Sequence, residues 1–175
     1  RDEVRDMESL LSHVIRAVKA PLMIDSTDTR VIERALSYCQ GKAIINSVNL
    51  ETGESRIDET VCLMRRYGAA LVVGLIDEQG MAVSRRRKLE IARRAYDILV
   101  HKHGVRPTDI IFDPLVFPCA TGDGQYADAA RETVEGLRLI KQAFPECKTV
   151  LGISNVSFGL PPPAREVLNS VFLFH

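Results

Sequence analysis

The sequence has no surplus of charge of either sign, because its 23 Lys and Arg residues balance its 23 Asp and Glu residues. It lacks a basic stripe with interleaved aromatic residues, so no nucleic-acid partner is expected. The strongest basic cluster, residues 85–88, stands at the start of a predicted helix, and we interpret it as a solvated helix face. No apolar run approaches the roughly twenty residues of a membrane span, and no signal peptide is evident. We therefore expect a soluble, cytoplasmic protein without a membrane partner.

Paired-cysteine and glycine-rich motifs are missing as well. None of the four cysteines stands in a CxxC pair, which disfavours a zinc knuckle and a secreted disulfide framework. The sequence contains neither a G-x-G-x-x-G fingerprint nor a P-loop. The short run Gly122, Asp123, Gly124 is only a fragment of such a loop, and we interpret it as a turn.

Helical and strand-like segments alternate along the whole chain. Apolar residues at helical spacing predict helices, and short apolar runs between them predict buried strands. The predicted helices are 4–18, 28–39, 57–67, 85–103, 126–144 and 166–174, and the predicted strands are 20–24, 43–45, 69–73, 110–112 and 149–153. No hairpin is expected. This alternation predicts a parallel sheet in a single α/β domain.

Two architectures accept this pattern, an open doubly wound sheet and a (β/α)8 barrel. The close spacing of the helices and strands favours the barrel. Because a barrel needs eight strands and the sequence supplies about five, we expect an incomplete TIM barrel.

Polar residues follow all five predicted strands. In either architecture the loops at the carboxyl ends of the strands converge over one crevice, which we call the mouth. A single Asp or Asn after a strand often caps the next helix, but five in succession favour a binding site. The polar runs are 25–27, 46–49, 77–80, 113–114 and 152–155.

The side chains expected at the mouth are carboxylates and amides. No lysine or histidine follows a predicted strand, which disfavours a Schiff-base aldolase, a Ser-His-Asp hydrolase and a His-ligated metal centre. Carboxylates and amides suit a neutral, flat heterocycle rich in N–H and C=O groups, such as a pterin.

Six segments, in order along nearly the whole chain, carry a resemblance to a known family. They are PLMIDST at 21–27, GKAIINS at 41–47, YGAALVV at 67–73, DEQG at 77–80, DIIFDP at 109–114 and SNVSFG at 154–159. Together they resemble the pterin-binding, or folate, domain of cobalamin-dependent methionine synthases. The resemblance implies a (β/α)8 barrel of which residues 1–175 form a part, covering about strands 3–7 and cut at both ends.

The resemblance also implies an activity and its cofactors. A methyltransferase of this family transfers the N5-methyl group of 5-methyltetrahydrofolate to cob(I)alamin, which is bound on another module of the same or another chain. Tetrahydrofolate, in its 5-methyl form, is the substrate. Zinc is expected only in the family's homocysteine module, which these residues do not include, so no metal is expected here.

Three positions match the family's pterin-binding carboxylates and amide. They are Asp25, Asn46 and Asp113. We expect Asp113 to accept two N–H donors from the aminopyrimidine edge of the pterin.

The opposite side of the expected pocket comes from the last predicted strand. Gly152, Ser154 and Asn155 match a loop that lies against the reactive side of the pterin, and Arg165 matches an arginine that contacts the folate tail or the pterin. Asn155 is the candidate for a hydrogen bond to N5 that strengthens in the transition state, and either water or Asp25 delivers the proton.

Some assignments stay open at this point. Asp77 and Glu78 match a family motif that serves either substrate contact or support of other residues. The alternatives are a methyltetrahydrofolate:corrinoid iron–sulfur protein methyltransferase and an inactive isolated fragment of the folate domain. A dihydropteroate synthase is disfavoured, because no Lys and Arg set is evident at the strand ends.

Overall fold

The computed structural model describes residues 2–122 and 124–175, so Arg1 and the middle residue of the predicted turn, Asp123, lie outside the described residues. The α-helices are α1 (Glu3–Ala17), α2 (Thr29–Leu36), α3 (Ser55–Tyr67), α4 (Arg85–Tyr96), α5 (Ala129–Ala143) and α6 (Pro162–Phe174). The strands are β1 (Met23–Asp25), β2 (Ile44–Leu50), β3 (Ala70–Asp77), β4 (Gly80–Met81), β5 (Ile110–Asp113) and β6 (Lys148–Thr149). Within the described ranges, no helix is both long and apolar enough to cross a membrane.

The sheet follows the order of the chain. Its hydrogen-bonded path is β1-β2-β3-β5-β6, with every pair parallel, and β4 joins only β3, in the antiparallel direction. A doubly wound sheet would reverse its strand order at a switch point, whereas a barrel places each strand beside the next. The predicted α/β class is confirmed, and the fold is consistent with a partial TIM barrel.

The two faces of the sheet bury different sets of side chains, because side chains alternate along a strand. On β3, Leu71, Val73 and Leu75 belong to the main core shared with the helices. Ala70 and Val72 of β3 instead pack with Ile111 of β5 on the opposite face. We call the first face the helix side and the second the inner side.

Local signals end the helices close to where the sequence predicts. Gly68 follows α3 in the left-handed conformation at φ 66°. Ser84 caps the N-terminus of α4, where its side chain accepts a hydrogen bond from the Arg87 N–H. A π-helix, Asp97–Lys102, continues α4, and Gly104 at φ 64° follows it, so the predicted helix 85–103 is one continuous segment.

The predicted strands have the right order, but their extents differ from the structure. β2 continues to Leu50 and β3 to Asp77, so the polar run 46–49 lies within β2 and does not follow it. A hairpin joins β3 to β4, with Glu78 and Gln79 at its turn and Gly80 at φ 102°, although none was expected. The strand predicted at 149–153 is shorter, because β6 ends at Thr149 and a 3-10 helix, Ile153–Ser157, follows it.

The interpretation of residues 85–88 as a solvated face is wrong for most of the cluster. Arg86 points to solvent, but Arg85 donates to Glu132 of α5. Arg87 donates to the buried Asp77, and Lys88 is fully buried. The charges of this turn of α4 therefore connect it to β3, α5 and the loop after β5.

Candidate functional site

The strand register places Asp25, the last residue of β1, beside Asn46, the third residue of β2, where they are Cα partners. Met23 and Ile44, two residues earlier, are also paired, so both polar residues continue the inner side of the sheet. Asp25 is exposed and Asn46 is half-buried. Within the described part of the chain, no side chain or backbone group hydrogen-bonds to either side chain, and both can therefore receive a ligand.

Asp113 ends β5 on the same side. Its Cα partner is Gly74 of β3, and Val72 and Ile111 pair two residues earlier on the inner side. The Leu115 N–H donates to Asp113 Oδ1 at 2.9 Å, while Oδ2 has no partner among residues 2–122 and 124–175. Burial raises the pKa of the half-buried Asp113 carboxyl above its ordinary value, against the opposing effects of the Leu115 N–H and the Lys88 ammonium.

The loop after β6 forms a compact unit around Gly152. A Cβ built on Gly152 would lie 3.0 Å from Asn155 Nδ2, so the Asn155 side chain lies directly over this glycine. The Ser154 carbonyl accepts from Ser157 Oγ at 3.2 Å and, at 3.5 Å, from the Arg165 guanidinium of α6. The structure thus brings Gly152, Ser154, Asn155 and Arg165 together, with Ser154 and Asn155 exposed.

Backbone contacts connect this loop to the one that follows Asp113. The Cys119 N–H donates to the Val156 carbonyl at 3.2 Å, and Val116 packs with Val156 in one apolar cluster. The loops after β5 and β6 therefore lie side by side at the mouth. Asn46 on β2 is separated from β5 by β3, and Asp25 on β1 lies one strand further away.

Asp77 and Glu78 do not belong to the mouth, so the expectation that all five strand ends point into it is wrong for β3. Asp77 shares the helix side with Leu75 and is buried, where it accepts two hydrogen bonds from Arg87 at 2.8 and 2.7 Å. Glu78 pairs with Arg94 of α4, which lowers the pKa of Glu78 to about 2. Both residues attach the end of β3 to α4.

Sequence reasoning missed one cation near the strand ends. Lys88 lies far from any strand in sequence, yet its Nζ donates to the carbonyls of Pro114 and Leu115, directly after Asp113. The expectation that no lysine follows a predicted strand concerns sequence position alone, and it did not consider a lysine that reaches the turn after β5 from a helix. The spacing of three, four and seven residues between Lys88 and the buried Ile91, Ala92 and Ala95 is the signal that could have placed it on the core-facing side of α4.

The mouth is an open surface, since Asp25, Ser154 and Asn155 are all exposed. A cavity of about 340 Å³ lies at the opposite end of β1 and β2, between the end of α1 and residues 39–42. In the described ranges, no group of three or more His, Cys, Asp or Glu side chains is arranged to bind a metal ion. What the mouth offers a ligand is hydrogen-bond acceptors and amides.

Sequence comparisons find relatives that match the whole chain. The family model of pterin binding enzymes matches residues 1–175. A methionine synthase of Mycobacterium tuberculosis (strain ATCC 25618 / H37Rv) is 43% identical over 176 residues, and one of Mycobacterium leprae (strain TN) is 41% identical over 176 residues. Both alignments cover 99% of this chain and 15% of the relative, so the chain spans about 15% of the length of these proteins. The resemblance noted in the sequence is confirmed: the chain belongs to the family of pterin binding enzymes.

Proposed function

We propose that this domain binds 5-methyltetrahydrofolate at the mouth and presents its N5-methyl group to cob(I)alamin bound on another module, as a step of methionine synthesis. The observation that carries the proposal is the set of unpartnered acceptors on the inner side, namely Asp25, Asn46 and Asp113 Oδ2. The sequence identity of 43% and 41% to two methionine synthases supports the choice of substrate class.

Asp113 is the proposed anchor of the pterin. One carboxylate oxygen is already used by the Leu115 N–H, so the carboxylate is oriented before a ligand arrives. The other oxygen is free for the aminopyrimidine edge, whose adjacent ring N–H and amino groups are donors. Asp25 and Asn46 provide an acceptor and an amide for the remaining edge of the ring.

The reaction side of the pterin is assigned to Gly152 and Asn155. Breaking the bond between N5 and the methyl carbon leaves an electron pair on N5, which makes the amine a poor leaving group unless it gains a proton or a strong hydrogen bond. The Asn155 amide can donate this hydrogen bond, and Gly152 leaves space beneath that amide. Water or Asp25 supplies the proton.

Cobalamin, when delivered by its own module, supplies the nucleophile that accepts the methyl group. Such a bulky partner requires an unobstructed approach, and the exposure of Asn155 and Ser154 provides one. Arg165 extends the polar surface beside Ser154, where the folate tail can lie.

The first experiment tests the pterin anchor. Replacing Asp113 by Ala in the intact protein should weaken 5-methyltetrahydrofolate binding by about 1.5–3 kcal/mol, the usual cost of losing hydrogen bonds to a charged group. Isothermal titration calorimetry measures this affinity. Asp97→Ala is the matched control, because Asp97 is exposed on the π-helix and should leave the affinity unchanged. Equal affinities of the wild type and a folded Asp113→Ala variant would contradict the proposed site.

Other family activities compete with this proposal. A methyltetrahydrofolate:corrinoid iron–sulfur protein methyltransferase would use the same folate chemistry, and a cobalamin module in the same polypeptide would decide for methionine synthase. Lys88 does not favour a dihydropteroate synthase. Its ammonium group donates to three backbone carbonyls and therefore has no N–H left for a substrate.

We further propose that residues 1–175 are one part of the barrel and are inactive alone. The described residues form five parallel strands, whereas a closed barrel has eight, which supports this proposal. The cytoplasmic location stays a prediction.

A further inference from the structure

Lys88 occupies an environment that is uncommon for lysine, because its side chain is fully buried in the first turn of α4. Its Nζ donates to the Ala82 carbonyl at 2.8 Å, to the Leu115 carbonyl at 3.2 Å and to the Pro114 carbonyl. An ammonium group has three N–H donors. All three are therefore used by backbone carbonyls, and two of these follow Asp113 directly.

The turn that Lys88 contacts has an unusual backbone. Leu115 has φ 62°, in the left-handed region that residues with a Cβ rarely adopt. Its N–H donates to Asp113 Oδ1, and its carbonyl accepts from both Lys88 Nζ and Thr133 Oγ1, the latter at 3.0 Å. Such a conformation persists only where the surroundings fix it. The orientation of the Asp113 carboxylate therefore depends on contacts made from the helix side.

Lys88 also acts on Asp113 through its charge. Burial disfavours the ionised form of the Asp113 carboxyl, and the Lys88 ammonium opposes this effect. The influence is mutual, since Asp113 favours the protonated form of Lys88. An ionised carboxylate is the form that accepts two N–H donors from a ligand.

Helix α5 is shaped to accommodate this lysine. Gly136 is buried, and a Cβ added to it would lie 2.7 Å from Lys88 Cδ. Thr133, one turn earlier on α5, is the residue that donates to the Leu115 carbonyl. One face of α5 therefore leaves room for the lysine stem and contacts the same turn.

We propose that Lys88 is a positioning residue for the ligand of Asp113: it fixes residues 113–115 from the helix side and places a buried positive charge beside the Asp113 carboxyl. The inference rests on the proposed folate site for the identity of the ligand. It does not rest on that site for the link between Lys88 and Asp113.

The test measures affinity as a function of pH in the intact protein. With 5-methyltetrahydrofolate as the probe, Lys88→Met should bind about tenfold more weakly at pH 7. The acidic midpoint at which binding is lost should rise by roughly one pH unit, because Asp113 loses its nearby cation. Thr133→Val is the matched control: it removes a donor to the same carbonyl but keeps the charge, so binding should weaken without a shift of the midpoint.

A measurement without ligand separates this inference from the proposed function. Carboxyl ¹³C NMR should show a higher pKa for Asp113 in Lys88→Met than in the wild type. Gly136→Ala, which displaces the lysine stem without removing its charge, should change the Asp113 pKa in the same direction even if Lys88→Met fails to fold. Unchanged Asp113 pKa and affinity in these variants would overturn the role of Lys88. A wild type that binds no folate, with the pKa shift present, would instead overturn only the proposed ligand.

Discussion

At the scale of single residues, Asn155 separates binding from catalysis. Its exposed amide lies over Gly152, and the proposed hydrogen bond to N5 gains strength as the amine departs. Asn155→Ala should therefore lower the methyl-transfer rate ten- to a hundredfold beyond any loss of affinity, equivalent to roughly 1.4–2.7 kcal/mol. Stopped-flow demethylation of 5-methyltetrahydrofolate by cob(I)alamin gives the rate, and equilibrium titration gives the affinity.

Gln40→Ala is the control for this comparison, since it removes an exposed amide before β2, at the end opposite the mouth. It should change neither quantity. If Asn155→Ala lowers rate and affinity by the same factor, Asn155 binds substrate and transition state equally, and its proposed catalytic role is lost.

At the scale of elements, the first turn of α4 contains two neighbouring arginines that we expect to contribute very differently to the free energy of unfolding. Arg87 donates to the buried Asp77 at 2.7 Å, whereas the Arg86 side chain is 87% exposed beside Glu90. Arg87→Met should lower the free energy of unfolding by about 2–3 kcal/mol, because it leaves Asp77 without its charged partner. Arg86→Met should change it by less than about 0.5 kcal/mol. Urea unfolding of both variants measures the difference.

The same pair of variants tests the assignment of Asp77 to the helix side. Folate affinity of folded Arg87→Met should equal that of the wild type, because Asp77 points away from the mouth. A large loss of affinity with unchanged stability would return Asp77 to the substrate-contacting residues.

Element types were predictable because they depend on local periodicity. The alternation of helical and strand-like segments gave α1 to α6 and the five parallel strands, and glycines such as Gly68 marked helix ends. The hairpin at β4 was not predictable from alternation, since two residues are too few to show a period. The end of β6 was misplaced because the apolar residues 150–151 continue a strand-like pattern after the pairing stops.

Within the candidate site, strand-end residues were predictable and contacts between layers were not. Asp25 and Asp113 end β1 and β5, and Asn46 lies beside Asp25 in β2, so the strand order alone places them on one side of the sheet near one edge. Asp77 is the last residue of β3, four residues beyond the predicted end of that strand. The sequence therefore did not show which face of the sheet its side chain lies on. Lys88 reaches the turn after Asp113 through a helix–sheet contact between residues 26 positions apart.

At the scale of the whole molecule, the buried Lys88 makes the free energy of unfolding depend on pH in the alkaline range. Desolvation lowers the pKa of Lys88 to about 8, from 10.5 for an unperturbed lysine. Between these pH values the unfolded chain keeps the proton that the folded chain has released, so the free energy of unfolding rises with pH. Relative to Lys88→Met, the wild type should gain up to about 3 kcal/mol from pH 7.5 to pH 10.5.

Urea titrations of both proteins across this pH range give the difference directly. Groups other than Lys88, such as the buried Cys147 thiol whose pKa is raised to about 11, contribute to both proteins and cancel. A difference that does not change with pH would mean that the folded protein keeps Lys88 protonated as firmly as the unfolded chain does.

The two faces of β3 have a consequence for how the gene can vary in length. Gly74 faces the inner side opposite Asp113, while Asp77, three residues later, faces α4. Deleting or inserting one codon within β3 would exchange the two faces, directing the Asp77 carboxylate toward the mouth and removing it from Arg87, which would keep only Glu90 as a partner. A change of two codons would preserve the faces and shift only the register. Evolution of this strand is therefore expected to tolerate substitutions far more readily than single-residue changes of length.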